Sequence, residues 1–369
     1  MKIKKFFQYL FKKTFQLIFL GFYGNIKFPP ADKDSKIGKH KIKRIKIGNQ
    51  NFKVDKNIYE VKNGRIYTDL VENVAIIKNN YLLPKISYQQ INGVLKNEKY
   101  NKVLIDGTNR IKKKIKGNIL SLVQGASGNN YFHFLFDIVP KIILIQQANL
   151  LKEIDFFYLP SNLNWQYKIL LTFGITRKKI LDSNKFRHIE ADKIYAVEHP
   201  WYTKGKVQEE INNIPSWIIF SLRKKFLKNY KKQKNVKKIF IDRSDSIFNH
   251  CKLVNNEEIK DFLFKNNFKS YQVSKLDFFE QISLFHNAKV IIGPHGAAFT
   301  NIIFSKPGLR LIELIPKNHG SLKCKKISKL LKFNYKRIEL KRLINQNENI
   351  NGDMKISISF LKKVLKKFL

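Results

Sequence analysis

The C-terminal half of the chain alternates short apolar runs with amphipathic segments. Apolar residues recur at helical spacing in segments 255–266, 277–288 and 321–333, and the runs between them have the length of buried strands. These runs occupy residues 238–244, 268–274, 289–296, 309–316 and 334–340. Regular strand–helix alternation with short loops predicts a parallel, doubly wound sheet. Ligands of such sheets bind beyond the carboxyl ends of the strands.

The N-terminal half has a different pattern. Residues 40–120 contain short β-rich runs broken by Asn and Gly, which predict a strand-rich region. From residue 119 onward, strand and helix patterns alternate, with one long helix predicted over 130–151. A chain of 369 residues exceeds the usual size of a single domain. We therefore predict two domains, over residues 40–205 and 206–345.

Both ends of the chain are basic and amphipathic. Residues 1–30 hold an aromatic, apolar run that Lys12 and Lys13 interrupt, leaving a stretch shorter than the about 20 apolar residues needed to span a bilayer. Because no small-residue cleavage site follows, we interpret the segment as an interfacial, membrane-associating helix. Residues 355–369 alternate apolar pairs with Lys pairs. They predict a basic helix whose apolar stripe faces either a membrane or the protein's own core.

The formal net charge of +43 is a feature shared with nucleic-acid-binding proteins. Only 10 of the 71 basic residues are Arg, however, and Arg is the better residue for phosphate forks and base edges. We therefore expect no nucleic-acid partner, and interpret the Lys residues as a solvated surface or as an attraction to anionic lipid. The two cysteines, Cys251 and Cys324, make no disulfide framework and predict a reduced, cytoplasmic protein.

The most specific motif is KVIIGPHGAAFTN, residues 289–301. An apolar strand leads into Gly293-Pro294-His295-Gly296, and a predicted helix begins there. The glycines allow the backbone to approach a ligand closely, and a helix N-terminus suits a phosphate. His295 can donate to a phosphate oxygen, and Asn301 follows about one and a half helical turns later. The alternative is a tight strand–helix turn that binds no ligand.

A second motif is GASGNNYFHFLFDIVPK, residues 125–141. On a helix His133 and Asp137 share one face, and a carboxylate beside an imidazole fixes its tautomer and raises its basicity, as a general base requires. Asn130 is placed to cap this helix, and Tyr131 lies near its start. The alternative is a buried His inside an aromatic cluster, with Asp137 as its structural partner.

Two further residues follow predicted strands in the C-terminal half. Arg243 ends the run KIFIDRS, where a guanidinium can bind a diphosphate with two hydrogen bonds, although a single Arg at a strand end is commonly a surface residue. Glu313, in LRLIELIP, is a weaker candidate for the ribose hydroxyls. The sequence contains no G-x-G-x-x-G motif and no P-loop. No D-x-D pair stands in a convincing loop position, so we predict no metal site.

These three segments, in this order, resemble glycosyltransferase family 61, the group that includes bacterial capsular polysaccharide biosynthesis proteins. The similarity covers about residues 120–316 and is carried by NYFHFLFDIVPK, IFIDRSD, VNNEEI and AKVIIGPHGAAFTNIIFSKPGLRLIEL. The resemblance implies an α/β, GT-B-like fold in which two Rossmann-like domains with parallel sheets face a cleft. Residues 40–205 would then form the acceptor-side domain and residues 206–345 the nucleotide-sugar-binding domain.

The resemblance also implies site residues. It places His133 and Asp137 at the cleft on the acceptor side, near Asn130 and Tyr131. It gives the donor site a lining of Gly293, His295, Gly296, Asn301 and Arg243, to which we add Glu313. Two positions depart from the family pattern: Phe134 stands where Trp often follows the His, and Asp242-Arg243-Ser244 replaces the common Ser-Arg-Arg.

The function that we expect is that of an inverting, metal-independent glycosyltransferase with no cofactor and a nucleotide sugar as donor substrate. The expected acceptor is a surface polysaccharide or lipid-linked glycan, and the expected location is the inner face of the cytoplasmic membrane. His133 backed by Asp137 is the predicted base, with Asp137 itself as the alternative. The sequence also allows two alternative functions, that of a non-glycosyl group transferase of polysaccharide assembly and that of a basic nucleic-acid-binding protein.

Overall fold

The computed structural model describes residues 2–30, 37–68, 73–91, 94–160, 163–202, 205–228, 236–245, 251–343 and 352–369. The chain divides into two compact units, Met1–Glu210 (unit 1) and Ile211–Leu369 (unit 2). Each unit has a sheet and a core of its own.

Unit 1 contains eleven strands and six α-helices among its described residues. The strands are β1 (Gly38–Ile47), β2 (Gln50–Thr68), β3 (Val74–Lys78), β4 (Tyr81–Leu82), β5 (Gln90–Ile91), β6 (Val94–Leu95), β7 (Lys113–Ser121), β8 (Phe156–Leu159), β9 (Ile180–Asp182), β10 (His188–Val197) and β11 (Gly205–Lys206). The helices are α1 (Lys2–Tyr23), α2 (Val103–Asp106), α3 (Tyr131–His133), α4 (Val139–Gln147), α5 (Asn164–Leu171) and α6 (Val207–Glu210), and a π-helical segment, Phe134–Ile138, joins α3 to α4.

The main sheet of unit 1 is mixed. Its strands are ordered β4-β3-β2-β10-β7-β8-β9, with β1 also paired to β2. Strands β10, β7, β8 and β9 are parallel to one another, whereas β2 pairs antiparallel with β10, β1 and β3. The expectation of a parallel sheet in this domain is therefore wrong for the half of the sheet built by the strand-rich N-terminal region. For β1 and β2 the reason is the tight connection at Gly48 (φ +59°), because two residues can join antiparallel strands but not parallel ones.

Unit 2 has the predicted parallel sheet. Its strands β12 (Lys238–Asp242), β13 (Lys269–Gln272), β14 (Val290–Pro294), β15 (Arg310–Pro316) and β16 (Asn334–Leu340) are ordered β13-β12-β14-β15-β16, and every pairing is parallel. The helices are α7 (Ser216–Phe226), α8 (Asn256–Lys265), α9 (Phe278–Asn287), α10 (Lys323–Leu330) and α11 (Ile358–Phe368). The segment after the glycine loop, Ala297–Phe304, is a 3₁₀ helix rather than the expected α-helix.

The C-terminal helix α11 packs its apolar stripe on unit 2. Leu361 and Leu365 are buried in the same cluster as Phe240 and Ile312 of the sheet. Of the two alternatives for this stripe, the structure shows the one in which it faces the protein's own core.

Candidate functional site

In both units the residues singled out above lie where the order of parallel strands reverses. In unit 1, β8 and β9 lie on one side of β7, and β10 lies on its other side. In unit 2 the reversal falls between β12 and β14. The carboxyl ends of strands at such a reversal form the usual ligand position of open α/β sheets. We call these positions the β7/β10 crevice of unit 1 and the β12/β14 crevice of unit 2.

The helix that follows β7 starts at a cap made by Asn130. Its side-chain oxygen accepts hydrogen bonds from the backbone N–H groups of Phe132 (3.0 Å) and His133 (3.3 Å), as the sequence predicted. The ring of Tyr131 packs edge to face on Trp165, with the centroids 5.4 Å apart. The cap fixes where the helix begins and therefore which way His133 points.

The predicted long helix is interrupted by the π-helical turn Phe134–Ile138, which contains Asp137. Pro140, near the start of α4, has no N–H to donate to the carbonyl four residues earlier, and its ring would clash there in a regular α-helix. A widened turn accommodates such a proline, and π turns recur at functional sites. Despite the widening, the His133 Nδ1 and Asp137 Oδ2 atoms lie 2.9 Å apart.

Asp137 is held by three residues, of which the sequence identified only His133. The indole N–H of Trp201 donates to Asp137 Oδ1 at 2.9 Å, and His199 Nε2 lies 3.7 Å from Asp137 Oδ2. Trp201 and His199 follow β10, on the other side of the β7/β10 crevice. The Asp137 side chain is only 1% exposed, so both its oxygens face these partners rather than water.

The tautomer of His199 follows from its contacts. Its Nδ1 atom accepts hydrogen bonds from the backbone N–H groups of Trp201 (3.3 Å) and Tyr202 (2.9 Å), so in the neutral ring the proton lies on Nε2, toward Asp137. Burial lowers the pKa of His199 to about 4, and attraction to Asp137 only partly offsets this. Burial raises the pKa of Asp137, but His133 and His199 lower it more, and the net value lies well below the usual range. Asp137 is therefore ionised and His199 neutral near pH 7.

A buried lysine lies behind this group. Lys141 is 1% exposed; its ammonium donates to Gln124 Oε1 at 2.9 Å and lies 4.9 Å from the centre of the Tyr88 ring. Burial lowers the pKa of Lys141 to about 7, against the attraction of Asp137. A cation with so little hydration responds strongly to any change in the charge of its neighbours.

The β12/β14 crevice is built around the two glycines of the loop. A Cβ atom on Gly293 would lie 2.7 Å from Ile241 Cβ, so only glycine lets β14 approach β12 this closely. A Cβ atom on Gly296 would overlap the guanidinium of Arg243, which lies against the loop backbone. The 3₁₀ helix begins directly after Gly296 and turns its free N–H groups toward the same place. The structure thus brings the predicted Arg243, Gly293, Gly296 and His295 together.

His295 forms a second His–carboxylate pair. Its Nδ1 atom lies 2.5 Å from Glu313 Oε1, and the hydroxyl of Tyr335 donates to Glu313 Oε2. Glu313 is 1% exposed. Burial raises its pKa, but the hydrogen bond and charge of His295 lower it to about 2. Because both its oxygens are engaged inside the protein, Glu313 orients His295 and is not free to accept from a ribose.

Two cationic side chains are buried beside His295. Arg243 is 9% exposed and Lys323, the first residue of α10, is 5% exposed. Burial is the main cause that lowers the pKa of each, and the Arg243 charge lowers that of Lys323 further. Glu313 attracts Lys323, and Asp245 and Asp353 attract Arg243. Two cationic side chains buried next to His295 are groups that can bind an anion such as a phosphate.

Three possible metal ligands also meet here. The ligand atoms of His295, Glu313 and Cys324 lie within 4.8 Å of one another, and all three residues are buried. Burial raises the pKa of the Cys324 thiol well above its usual range. The ligand types suit a thiophilic cation, but the charges of Lys323 and Arg243 oppose one. No local sequence pattern indicates this cluster, since its members come from three separate parts of the chain.

Asn301 has a different position from the one expected. It is fully buried, and its amide donates to Gln281 Oε1 of α9 at 2.9 Å. This bond ties the 3₁₀ helix to α9 and so supports the loop from behind. The sequence missed His199, Trp201, Lys323 and Tyr335; the first two follow a predicted strand directly, which is the rule that identified Arg243.

A comparison with known protein families identifies one match. Residues 131–312 match the family model described as Glycosyltransferase 61. This stretch begins at the first residue of α3 and ends within β15. The matched stretch contains His133, Asp137 and His295, and Glu313 is the residue that directly follows it. No curated protein sequence matches the chain.

Proposed function

The chain belongs to glycosyltransferase family 61, and from this premise we propose that it is an inverting enzyme that transfers a sugar from a nucleotide sugar to a surface polysaccharide or glycolipid. Family membership supports the reaction class. The observation that carries the mechanism is the difference between the contacts of the two His–carboxylate pairs. In one crevice Asp137 is contacted by His133 and by the indole N–H of Trp201, with the buried Lys141 behind them. In the other, His295 and Glu313 lie beside the buried cations Arg243 and Lys323.

On the acceptor side we assign the base to His133. Its Nδ1 atom is engaged with Asp137, and the structure gives no hydrogen bond to Nε2 within the described chain. In the proposed step, Nε2 takes the proton of the acceptor hydroxyl while the acceptor oxygen forms a bond to the anomeric carbon. The bond from that carbon to the diphosphate oxygen breaks on the opposite face. Attack opposite to the leaving group inverts the configuration at the anomeric carbon.

Asp137 is better suited to orient His133 than to act as the base itself. Its ionised carboxylate is buried, and its oxygens are occupied by His133 and Trp201. A carboxylate with a pKa held this low is a weak base at neutral pH. It can, however, fix the Nδ1–H tautomer and stabilise the imidazolium that forms.

On the donor side the β12/β14 crevice is assigned to the diphosphate. Arg243 can bind two phosphate oxygens, Lys323 adds a second cation, and the 3₁₀ N-terminus adds N–H donors. His295, whose Nδ1 faces the ionised Glu313, can donate from Nε2 only as an imidazolium, and the negative charge of the bound diphosphate would favour that form. These groups stabilise the negative charge that develops on the leaving diphosphate. The proposal therefore includes no metal and no cofactor, and the nucleotide sugar is a substrate.

The finer expectations from the family resemblance remain part of the proposal. They are the GT-B arrangement, a capsular polysaccharide or lipopolysaccharide acceptor, and a cytoplasmic, peripheral location on the inner face of the membrane. The basic surface and the exposed aromatic side chains of α1 support association with anionic lipid. Nucleic acid is not a proposed partner.

The test is a transfer assay on the full chain with a panel of nucleotide sugars and lipid-linked or oligosaccharide acceptors. Mass spectrometry identifies the product, and proton NMR of the new anomeric centre reports its configuration. We expect transfer from one donor class with inversion. Retention of configuration would refute the displacement, and a chain that binds no nucleotide sugar at all would favour the non-glycosyl group transferase.

A further inference from the structure

Helix α1 is attached to unit 1 near its C-terminal end and exposes much of its length. The hydroxyl of Tyr23 accepts a hydrogen bond from the Lys112 backbone N–H (3.0 Å), and its ring packs edge-on against His188. Gln16 donates to the carbonyl of Ile105 at 3.1 Å. Several large apolar side chains of the helix stay more than half exposed, namely Phe6, Phe7, Tyr9, Phe11, Leu17 and Phe22. Large apolar side chains exposed along one helix are a feature of surfaces that contact a membrane or another molecule.

A cavity of about 1030 Å³ lies between α1 and the body of unit 1. One wall is aromatic and consists of Phe11, Phe15 and Phe19. The opposite lining carries four cationic side chains, from Lys102, Arg110, Lys185 and Arg187. Asp106 is the one acidic residue among the described residues that line it. The cavity thus joins an apolar wall, continuous with the exposed face of α1, to a strongly basic rim.

The cavity is separate from the β7/β10 crevice. Arg110 and Ile111 precede β7, and Arg187 precedes β10, so the cavity lies at the amino ends of these two parallel strands. His133 and His199 follow the carboxyl ends of the same strands. A rise of about 3.3 Å per residue over eight residue steps of β7 separates the two places by roughly 25 Å. A small ligand in the cavity therefore cannot touch His133.

We propose that this cavity binds the headgroup phosphate of an anionic membrane phospholipid, with the acyl chains lying along the aromatic face of α1. The proposal deepens the membrane association included in the proposed function and rests on it. Charge complementarity selects an anion, because the rim carries four cations and one carboxylate. The aromatic wall selects an amphiphile, because a free phosphate would leave these rings in water. In the described part of the chain, no helix is long and apolar enough to cross a membrane.

The first experiment compares two double variants of the full chain. Lys102→Gln with Lys185→Gln removes two exposed charges from the cavity rim, and Lys178→Gln with Lys179→Gln removes two equally exposed charges from another place in unit 1. Binding is measured by co-sedimentation with vesicles of phosphatidylcholine that contain one third phosphatidylglycerol. We expect the rim variant to bind about tenfold more weakly than wild type. We expect the control to change less than about twofold.

Equal losses in the two variants would overturn the proposal, because they would show that the vesicles respond to net charge alone. Thermal unfolding by circular dichroism confirms that both variants fold. The substituted side chains are exposed, and neither Lys ammonium of the rim pair donates a hydrogen bond within the described part of the chain, so we expect unchanged melting temperatures.

The second experiment separates a lipid headgroup from a free anion. Hydrogen exchange of residues 100–112 is followed during three titrations. Two use short-chain lipids below their critical micelle concentrations, dihexanoyl phosphatidylglycerol and dihexanoyl phosphatidylcholine, and the third uses inorganic phosphate. We expect protection from the phosphatidylglycerol alone, and no protection in the rim variant. Equal protection by inorganic phosphate, or protection by the phosphatidylcholine to the same extent, would overturn the assignment. Neither experiment contains a sugar donor, so failure here leaves the transferase proposal intact, and failed transfer leaves this one intact.

Discussion

Each of the two crevices contains a His–carboxylate pair, but the polar and charged groups around the two pairs differ. In the β7/β10 crevice, Asp137 receives a hydrogen bond from Trp201 and faces a neutral His199. In the β12/β14 crevice, Glu313 and His295 lie beside the buried charges of Lys323 and Arg243. A His–carboxylate pair therefore does not by itself define a catalytic base.

The surroundings decide which role each imidazole can take. The Nδ1 atom of His133 faces the Asp137 carboxylate, which would stabilise the imidazolium that forms in the proposed step. Burial lowers the pKa of His295, Glu313 raises it, and the charges of Lys323 and Arg243 lower it, with a net decrease. The neutral ring, with Nδ1 toward Glu313, has a lone pair at Nε2, so His295 can donate to the diphosphate only when the charge of that anion favours protonation of the ring. The comparison assigns proton transfer to unit 1 and diphosphate binding to unit 2.

The largest expected effect comes from His133→Gln. Glutamine keeps much of the volume and a polar end but cannot take a proton at neutral pH, so turnover should fall by about 10²–10⁴. Affinity for a nucleoside diphosphate, measured by calorimetry, should stay within about twofold of wild type. His40→Gln removes an imidazole from another His–carboxylate pair, on the exposed hairpin, and serves as the matched control.

Asp137→Asn completes this test. Turnover should fall less than in His133→Gln if Asp137 only orients the ring, and at least as much if Asp137 is the base. Wild-type turnover in His133→Gln would end the assignment of His133 and leave Asp137 as the candidate. Melting temperature is measured on all three proteins, because a purely structural His would lose stability and activity together.

The next effect concerns the contribution of His199, in the β7/β10 crevice, to stability in acid. The folded pKa of His199, about 4, is below its ordinary value near 6.5, so the unfolded chain binds more protons between these values. The contribution of His199 to the free energy of unfolding is therefore fully present above about pH 6.5. As the pH falls toward 4, this contribution decreases by about 3 kcal/mol. Glu313 has a folded pKa of about 2, so its contribution is lost only below its ordinary value near 4.5.

His199→Asn isolates this contribution. The Asn side-chain oxygen can replace Nδ1 as acceptor for the Trp201 and Tyr202 N–H groups, while the titrating group is gone. In a Trp217→Phe background, tryptophan fluorescence comes from Trp165 and Trp201 and reports on unit 1. Urea unfolding should show a smaller loss of stability between pH 6.5 and 4 in the variant. The same slope in both proteins would contradict the assignment.

The sequence predicted the β12/β14 crevice more completely than the β7/β10 crevice, for a physical reason. Gly293, His295 and Gly296 lie in one continuous motif, and Arg243 directly follows a strand, so local pattern was sufficient. Trp201 is 64 residues away from Asp137 along the chain, and only the pairing of β7 with β10 brings it close. Likewise, no local pattern shows that β2 pairs antiparallel with β10, since this depends on contacts across 120 or more positions.

A smaller effect is expected on donor binding from unit 2. Arg243→Ala and His295→Ala each remove one charge-assisted or polar contact, so each should weaken nucleoside diphosphate binding by about 1.5–3 kcal/mol. Gly296→Ala should weaken it comparably while keeping the charge, because the added Cβ displaces the guanidinium. Arg310→Ala, an exposed Arg at the start of β15, is the control. Unchanged affinity in both Arg243→Ala and His295→Ala, measured by calorimetry, would remove the phosphate role of this crevice.

The smallest expected effect is that of metal removal. The cluster of His295, Glu313 and Cys324 is the place in the described chain where an ion could bind, yet the Lys323 and Arg243 charges there already supply what a divalent cation would offer the diphosphate. Turnover should therefore remain within about twofold of its initial value in EDTA. Cys324→Ser is the matched variant, since it keeps the volume and removes the thiolate ligand. Complete loss in EDTA with recovery in manganese or magnesium would refute metal-independent transfer. A loss of turnover in EDTA that only zinc reverses, and that does not occur in Cys324→Ser, would place the metal at this cluster. Unit 2 would then hold a metal site rather than a purely cationic one.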